Sequence, residues 1–517
     1  MSINDNITGF APAGQITPDP ENTIDAPNTL TPDASTPIGT PDTVTPVGAG
    51  SITAPNTINP DAVNAVDAPN TLTPDAANNV DAPNTLAPDA VNPIATPVGL
   101  SPLNSEPINR VLTPLIGLNF SSQNYSVMGQ PSTFDNALTY SRASSATYVE
   151  TYVDALNRKQ KRVTTVGANV PRFEDAGLLV EGASTNLALR SEEFDSAEWV
   201  KSGATVTANS GLAPDLTNSA DKISAASTGT ISVSVSDSVV SVIGTKYTAS
   251  FYVKAAEQSA IQIAFGAASV TGSPRANFNL VSGEISIVDS ELTAEIKKIG
   301  NDGWYRISAT ATAATTSFQF FAFLINDPLQ GRAVTSSFAA GNGLLLWGAQ
   351  VEALGGASSY IKTEGAAVSR AADITVKPFS ISRGNLSVKA KALFPIEGSQ
   401  SYVATLFNAN VNSSINITNA DNLVQAFIRA QGGITLTVTG TSTTQWTSGA
   451  QVSLNFAPND CTVFIGNETP VTDNSVIIPT VATLSIGNIA QSSPFYGHIE
   501  YVNVYDTLLT ANEVKSL

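Results

Sequence analysis

Residues 230–236 read Thr-Ile-Ser-Val-Ser-Val-Ser, a strict alternation of polar and apolar side chains. Successive side chains of an extended chain point to opposite faces of a sheet, so this alternation predicts a strand with one buried face. Further strand-like segments follow at 247–253, 318–324 and 343–347, with turn-forming residues between them. Many short strands at this spacing predict an antiparallel β-sandwich or jelly roll.

A second group of strand-like segments occupies the last part of the chain, at 386–390, 434–438, 461–465 and 499–506. After it, residues 508–514 predict a short helix in which Thr510 is the N-cap and Glu513 completes a capping box. The sequence therefore predicts a mainly β protein with two antiparallel β-sandwiches, one over residues 119–373 and one over residues 374–517.

The composition argues against several classes of protein. The 517 residues include 25 Lys and Arg against 43 Asp and Glu, for a net charge of −18, and a nucleic-acid binder needs a basic face. The single cysteine, Cys461, and the single histidine, His498, leave no basis for a disulfide, a multi-His metal site or His-based catalysis. We expect Cys461 to be a small buried residue and His498 to be structural or at the surface.

Two further absences shape the expected function. No apolar stretch reaches the roughly 18 residues that a membrane-spanning helix needs, so we expect no membrane insertion. Carboxylate pairs at 192–193 and 174–175 could serve glycoside hydrolysis only if a cleft brought them about 5–10 Å apart. We predict that the protein is not an enzyme, with no catalytic residue, no metal site and no cofactor.

Residues 1–118 differ from the rest of the chain. They contain 19 of the 30 prolines, 12 acidic residues, one basic residue and Phe10 as their only aromatic residue. The motif Pro-Asn-Thr-Leu-Thr-Pro-Asp-Ala at 27–34 recurs at 69–76, and related copies begin at positions 13, 41, 55, 83 and 97, so that all starts are 14 residues apart. A fixed period predicts an array of equivalent units.

The aliphatic residues of this array are separated by eight and six residues in turn. Both spacings are even, so an extended chain places all of these side chains on one face, and the paired prolines exclude a helix. We predict an extended acidic attachment arm or shaft whose anchors are Ile16, Ile24, Leu30, Ile38, Val44, Ile52, Ile58, Val66, Leu72, Val80, Leu86, Ile94 and Leu100. The arm could form a trimeric shaft or lie in a groove of a larger assembly, and a disordered acidic spacer is the alternative.

Several motifs resemble segments of bacteriophage fibre proteins, at 141–149, 168–173, 177–187, 190–194, 303–306, 346–352, 359–365 and 368–373. In that family such motifs belong to a jelly-roll domain similar to carbohydrate-binding modules. The region 371–517 resembles a laminin-G or concanavalin-like sandwich, chiefly through its last strand and the helix that ends at Val514. Gly182 departs from the fibre pattern, because related sequences often carry an acidic residue there.

The resemblance implies a non-enzymatic fibre on the surface of a phage virion. The arm would then attach to capsid or tail structural proteins, the protein would form a homotrimer, and the sandwiches would bind host-surface polysaccharide. Two alternatives remain open, namely a structural decoration protein of the capsid or tail without a receptor role, and a tailspike that depolymerises glycans.

Glycan binding requires aromatic rings on which sugars can stack. We predict Trp446, Trp199 and Tyr305 as glycan-binding residues. Trp446 is the strongest of the three, because the polar residues around it predict an exposed loop. Trp304 and Trp347 lie in strand-like motifs, so we expect them in the core. The basic segment 158–162 predicts an exposed hairpin turn.

Overall fold

The computed structural model describes residues 111–332, 335–396, 400–408, 411–431, 433–440, 444–490 and 492–517. Its contacts divide the chain into the units Met1–Val111 and Leu112–Leu517, and only the second is considered below. The thirteen predicted anchors, from Ile16 to Leu100, lie outside the described residues. The role of the arm therefore stays a prediction.

The first part of the described chain forms β1 (Ile116–Asn119), β2 (Asn124–Val127), β3 (Gln130–Ser132), the helical turn α1 (Phe134–Ala137), β4 (Thr139–Ser141), β5 (Ala146–Val153), β6 (Lys159–Val166), β7 (Phe173–Glu174) and β8 (Gly177–Val180). The middle part forms β9 (Ser184–Asn186), β10 (Val200–Ser202), β11 (Ala204–Gly211), β12 (Ala220–Ala225), β13 (Gly229–Ile231), β14 (Val233–Val240), β15 (Lys246–Ala255), β16 (Ala260–Phe265), β17 (Arg275–Asn279), β18 (Glu284–Val288), β19 (Thr293–Ile299), β20 (Trp304–Thr312), β21 (Ser317–Ile325), β22 (Ser336–Phe338), β23 (Gly343–Glu352) and β24 (Val368–Arg370). The last part forms β25 (Ile374–Pro378), β26 (Gly384–Ala392), β27 (Gln400–Phe407), β28 (Ser414–Ala420), β29 (Leu423–Ala430), β30 (Gly433–Thr439), a 3₁₀ turn (Trp446–Ser448), β31 (Ala450–Ala457), β32 (Asp460–Ile465), β33 (Val471–Asp473), β34 (Thr483–Ile486), β35 (Gly497–Tyr505) and α2 (Ala511–Lys515).

Strands β10–β23 build the jelly-roll sandwich from two main antiparallel sheets. One sheet has the order β10-β14-β21-β16-β17-β18 and the other the order β11-β12-β23-β15-β20-β19. Buried aromatic rings fill the space between them, including Trp199, Phe251 and Phe320. The alternating stretch at 230–236 divides between β13 and β14, and Val233 and Val235 both face this core, as predicted.

The second sandwich is assembled from both ends of the described chain, and we call it the split sandwich. Its larger sheet contains β3-β2-β1-β35-β26-β31-β32-β33, with β8 paired to β35 and β7 paired to β8. Its smaller sheet has the order β30-β29-β28-β27-β34-β25-β4. Strand β1 pairs with β35, so that Ile116 lies opposite Val504. Ile116 and Leu118 are fully buried in the same core as the C-terminal strands.

This arrangement corrects the predicted boundaries. The arm was expected to extend to residue 118, yet β1 begins at Ile116 within the split sandwich. Residues 119–180 were assigned to the first sandwich, but β2, β3, β4, β7 and β8 pair within the second. The alternation of polar and apolar residues identifies a strand and its buried face, but it does not indicate which distant strand pairs with it.

The predicted mainly β fold with antiparallel β-sandwiches is confirmed. The C-terminal helix α2 also has its predicted capping box. The Glu513 N–H donates to Thr510 Oγ1 over 3.2 Å, and the Thr510 N–H donates to Glu513 Oε2 over 2.8 Å. Val514 of this helix packs against Phe464 and Tyr505.

Candidate functional site

The three aromatic residues predicted to bind glycans are buried. Trp446 has no exposed surface, and its Nε1 donates to the Thr418 carbonyl over 3.0 Å. Trp199 is 1% exposed, and Tyr305 is 9% exposed. Polar neighbours predicted an exposed Trp446, but the turn Trp446–Ser448 places the indole in the core of the split sandwich. None of these three rings offers a free face to a sugar.

Trp304 and Trp347 are also buried, as expected, and the β5–β6 hairpin packs against them. They belong to an aromatic cluster with Tyr252 and Tyr360 on the outer face of the jelly-roll sandwich. Val163 of the β5–β6 hairpin packs onto this cluster. The hairpin therefore attaches the first part of the chain to the jelly-roll sandwich.

A buried charge cluster lies where the chain passes between the two sandwiches, and we call it the junction cluster. It consists of Arg142, Arg172, Arg370, Glu181 and Asp373, of which none is more than 4% exposed. Arg172 Nη1 donates to Glu181 Oε2 over 2.7 Å, and Arg172 Nη2 donates to Asp373 Oδ2 over 2.5 Å. Arg142 Nη1 donates to Asp373 Oδ1 over 3.2 Å, and Arg370 Nη1 donates to Glu181 Oε2 over 2.5 Å.

The junction cluster ties together the two points at which the chain leaves and re-enters the split sandwich. Glu181 follows β8, and Asp373 precedes β25. Their backbones meet, because the Asp373 N–H donates to the Glu181 carbonyl over 2.9 Å and the Glu181 N–H donates to Asp373 Oδ2 over 2.8 Å. All five residues lie in the segments that resemble phage fibre proteins. Their arrangement assigns those motifs a structural role.

Electrostatics fix the protonation state of Glu181. Burial by itself raises the pKa of this carboxyl group, but the guanidinium groups of Arg370 and Arg172, together with hydrogen bonds from Ser359, outweigh burial and lower the pKa to about 2. Gly182 follows directly, and its carbonyl accepts a hydrogen bond from Arg370 Nη2 over 2.6 Å. A Cβ atom at Gly182 would lie 2.4 Å from Tyr496 Oη and 2.5 Å from Pro494 Cγ, so any side chain at this position would require these residues to shift.

The remaining residues singled out from the sequence take structural positions. His498 Nε2 lies 2.9 Å from Glu174 Oε2, which links β35 to β7. Cys461 is buried, as predicted, and desolvation raises the pKa of its thiol to about 11. Among the described residues, no group of three or more His, Cys, Asp or Glu side chains could hold a metal ion, and no described helix is long and apolar enough to cross a membrane.

A partly exposed aromatic pair lies on the outer face of the jelly-roll sandwich, and we call it the phenylalanine ledge. Along β21, Phe318, Phe320, Ala322 and Leu324 face the core. The alternate residues Gln319, Phe321 and Phe323 face outward. The Phe321 and Phe323 rings stack with centroids 5.2 Å apart and an angle of 21° between their planes. The neighbouring strand β14 places Ser236 opposite Phe321 and Ser238 opposite Gln319.

One end of this outer face is closed and the other is open. Asn277 Nδ2 donates to the carbonyls of Pro328 and Gln330 over 2.9 and 2.8 Å, so that the loop after β21 lies over Asn277. Phe323 is only 7% exposed, whereas Phe321 and the neighbouring Gln319 are both half-buried. The open end therefore combines an aromatic ring with amide and hydroxyl groups.

A second accessible site lies between the hairpin and the jelly-roll sandwich, and we call it the cationic groove. Its cavity of about 210 Å³ is lined by Thr151, Lys159, Gln160, Lys161, Asp175, Lys298, Gly300 and Asn301. Lys161 Nζ lies 2.9 Å from Asp175 Oδ2, and Thr151 Oγ1 donates to Asp175 Oδ1 over 2.7 Å. Neither Lys159 nor Lys298 forms a recorded ion pair within the described part of the chain.

The walls of the groove depend on a glycine. Gly300 has a φ of +63°, and a Cβ atom there would lie 2.9 Å from the Lys161 carbonyl oxygen. A side chain would strain the backbone and push the β19–β20 turn away from the hairpin. The predicted hairpin also differs from expectation, because only Arg158 lies in the turn and residues 159–162 belong to strand β6.

The ledge and the groove were not identified from the sequence. The segment 318–324 was recognised as a strand, but its uninterrupted run of five aromatic and aliphatic residues, 320–324, does not reveal which rings face outward. The groove joins Lys159 to Lys298 and Asp175, which are far apart in the sequence. The only available signal was the basic segment 158–162, which by itself is typical of a solvated turn.

No family model and no curated protein matches the chain. Among solved structures, the CBM40 of a Ruminococcus gnavus IT-sialidase, bound to α2,6-sialyllactose, is 17% identical with a TM-score of 0.22, over 26% of this chain and 83% of that chain. Domain 4 of AbnA, a GH43 extracellular arabinanase from Geobacillus stearothermophilus, in complex with arabinotriose, is 14% identical with a TM-score of 0.23, over 31% and 81% of the two chains. Domains LG4–5 of the mouse laminin α1 chain are 10% identical with a TM-score of 0.19, over 63% and 90%. Similarities this weak say nothing about the ligand of this chain.

Proposed function

We propose that this protein is a non-enzymatic fibre on the surface of a phage virion, and that its β-sandwiches bind host-surface glycans. The N-terminal repeats would attach it to capsid or tail proteins. Three chains would associate, because three extended ribbons can cover one another's aliphatic faces. The motifs that resemble phage fibre proteins support this proposal, and so does the presence of an accessible aromatic site on a β-sandwich.

The phenylalanine ledge is the observation that carries glycan binding. A sugar presents C–H groups on the face of its ring and hydroxyl groups around the edge. An aromatic face carries partial negative charge and attracts such C–H groups. Next to Phe321, the side chains of Ser238 and Gln319 can both donate and accept hydrogen bonds, as sugar hydroxyls require.

Binding of the full chain to an array of bacterial surface polysaccharides tests the proposal. We expect binding to at least one polysaccharide, and we expect Phe321→Ser to weaken it by about two- to tenfold, the range for one aromatic contact. Val281→Ser serves as the matched control, because Val281 is an apolar residue that is 77% exposed on the β17–β18 turn. This control should bind like the unmodified protein.

Other outcomes would decide between the alternatives. Shortening of the polysaccharide during incubation, measured by size-exclusion chromatography, would make the protein a depolymerase. Antibodies that label virions, combined with no binding to any polysaccharide, would favour a decoration protein. Absence of the protein from purified virions would contradict the fibre assignment itself.

A further inference from the structure

The cationic groove has an unusual charge for this protein. The chain carries a net charge of −18, yet the groove brings together Lys159, Lys161 and Lys298 around a single carboxylate, Asp175. Asp175 is already paired with Lys161. Lys159 and Lys298 line the cavity without forming an ion pair within the described residues, and three lysines against one carboxylate give the groove a net positive charge.

From this arrangement, we propose that the cationic groove binds a carboxylate-bearing sugar, as a subsite separate from the phenylalanine ledge. The inference rests on the proposed function, since it specifies the class of glycan that the sandwiches bind. The sugar carboxylate would lie between Lys159 and Lys298. Its hydroxyl groups would bond to the Asn301 amide and to the carboxylate of Asp175, which accepts hydrogen bonds.

The dimensions and the charges of the groove favour a sugar over a polyanion. A volume of about 210 Å³ is below the range of roughly 300–1,000 Å³ that holds drug-sized ligands, and it suits one charged ring. Nucleic-acid binding depends on neutralising many phosphates along a backbone. Two lysines cannot neutralise the many phosphates of a nucleic-acid backbone, whereas they suffice for a single carboxylate.

The site is built from three separate segments. Lys159 and Lys161 lie on β6, Asp175 lies in the β7–β8 turn of the split sandwich, and Lys298 and Asn301 lie at the β19–β20 turn of the jelly-roll sandwich. The close approach of Gly300 to the Lys161 carbonyl fixes the spacing of two of these walls. The groove therefore exists only when the hairpin is docked on the jelly-roll sandwich.

Calorimetry with matched charged and neutral sugars tests the inference. The probes are oligogalacturonate and oligomannuronate, each compared with its methyl ester, in which the carboxyl group is uncharged and carries one added methyl group. For the full chain, we expect at least one acid to bind more tightly than its ester by about threefold or more, since each exposed lysine contributes about 0.2–1 kcal/mol. This preference should decline as salt rises, because exposed charges are screened.

Variants separate the groove from general charge effects. Lys159→Gln with Lys298→Gln should abolish the preference for the acid and leave binding of the ester unchanged. Lys391→Gln with Lys515→Gln removes the same two charges from exposed sites elsewhere and should preserve the preference. Circular dichroism and melting temperature would confirm that both double variants fold.

Each contrary result has a defined meaning. Equal affinity for acid and ester, or an unchanged preference in Lys159→Gln with Lys298→Gln, overturns the inference. Competition by inorganic phosphate at the same concentration as the acid would make the groove a general anion site and overturn its assignment to sugars, and displacement by duplex DNA would do the same. If neutral polysaccharides still bind in a Phe321-dependent way, only the groove inference fails. If no glycan of either kind binds, the proposed function fails with it.

Discussion

The junction cluster and the cationic groove each bring together three basic side chains, and they differ in what surrounds those charges. Arg142, Arg172 and Arg370 are almost entirely buried and bond to two buried carboxylates. In the groove, Lys161 forms an ion pair with Asp175, Lys159 and Lys298 form none within the described residues, and all three lysines are exposed. Buried charges must be paired, since an unpaired ion loses its hydration without compensation. Unpaired cations persist only where water or a ligand can reach them.

Burial and pairing therefore distinguish the structural charges of this molecule from those that could bind a ligand. The arginines of the junction cluster lie in conspicuous sequence motifs, yet all three are buried and out of reach of a ligand. The lysines of the groove lie in an ordinary basic segment and at the end of a strand. Lys159 and Lys298 nevertheless remain able to bind an anion.

Removal of one arginine should break the junction cluster. Arg172→Ala leaves Glu181 and Asp373 without a shared partner in a buried site, and such a loss costs about 3–5 kcal/mol. Urea unfolding of the variant should show a free energy of unfolding lower by that amount. Arg158→Ala is the control, because Arg158 pairs with Asp154 at a side-chain exposure of 62%, and its unfolding curve should stay nearly unchanged. Equal losses in both variants would contradict the distinction between buried and exposed pairs.

Acid should weaken the junction cluster through Glu181. The pKa of this carboxyl group is lowered from 4.5 to about 2, so its contribution is fully present above pH 4.5 and is lost as the pH falls through about 2. The full shift corresponds to about 3 kcal/mol. The stability difference between the unmodified protein and Glu181→Gln should therefore shrink as the pH is lowered from 6 to 2.5. A difference that does not depend on pH would mean that Glu181 does not titrate within the cluster.

Loss of the groove lysines should leave the fold unaffected. Lys159 and Lys298 are exposed and have no recorded ion pair in the described chain, so Lys159→Gln with Lys298→Gln should change the free energy of unfolding by no more than about 0.5 kcal/mol. Thermal melting at neutral pH provides the measurement. A loss comparable to that of Arg172→Ala would show that the lysines hold the hairpin in place, and their role would then be structural.

Sequence reasoning was accurate where the physical cause is local. The capping box of Thr510 and Glu513 spans four residues, and the strand at 318–324 shows its own composition. It was wrong for Trp446, whose polar neighbours suggested an exposed ring. Burial of that ring depends on Thr418 and Phe495, which lie at other positions of the sandwich. The candidate sites were missed for the same reason, because each one forms only after distant strands have paired.

Three features were predictable from the sequence, namely the β-rich character of the two sandwiches, the C-terminal helix and the repetitive acidic composition of residues 1–118. Each of these follows from side-chain period, capping or composition, which act over a few residues. Other features became visible only in the tertiary structure. Strand β1 pairs with β35, and Arg142 binds Asp373 although 231 positions separate them in the sequence. Lys159 and Lys298 line the same groove. Strand alternation specifies a face but no partner, and partners are chosen by the packing of the whole core.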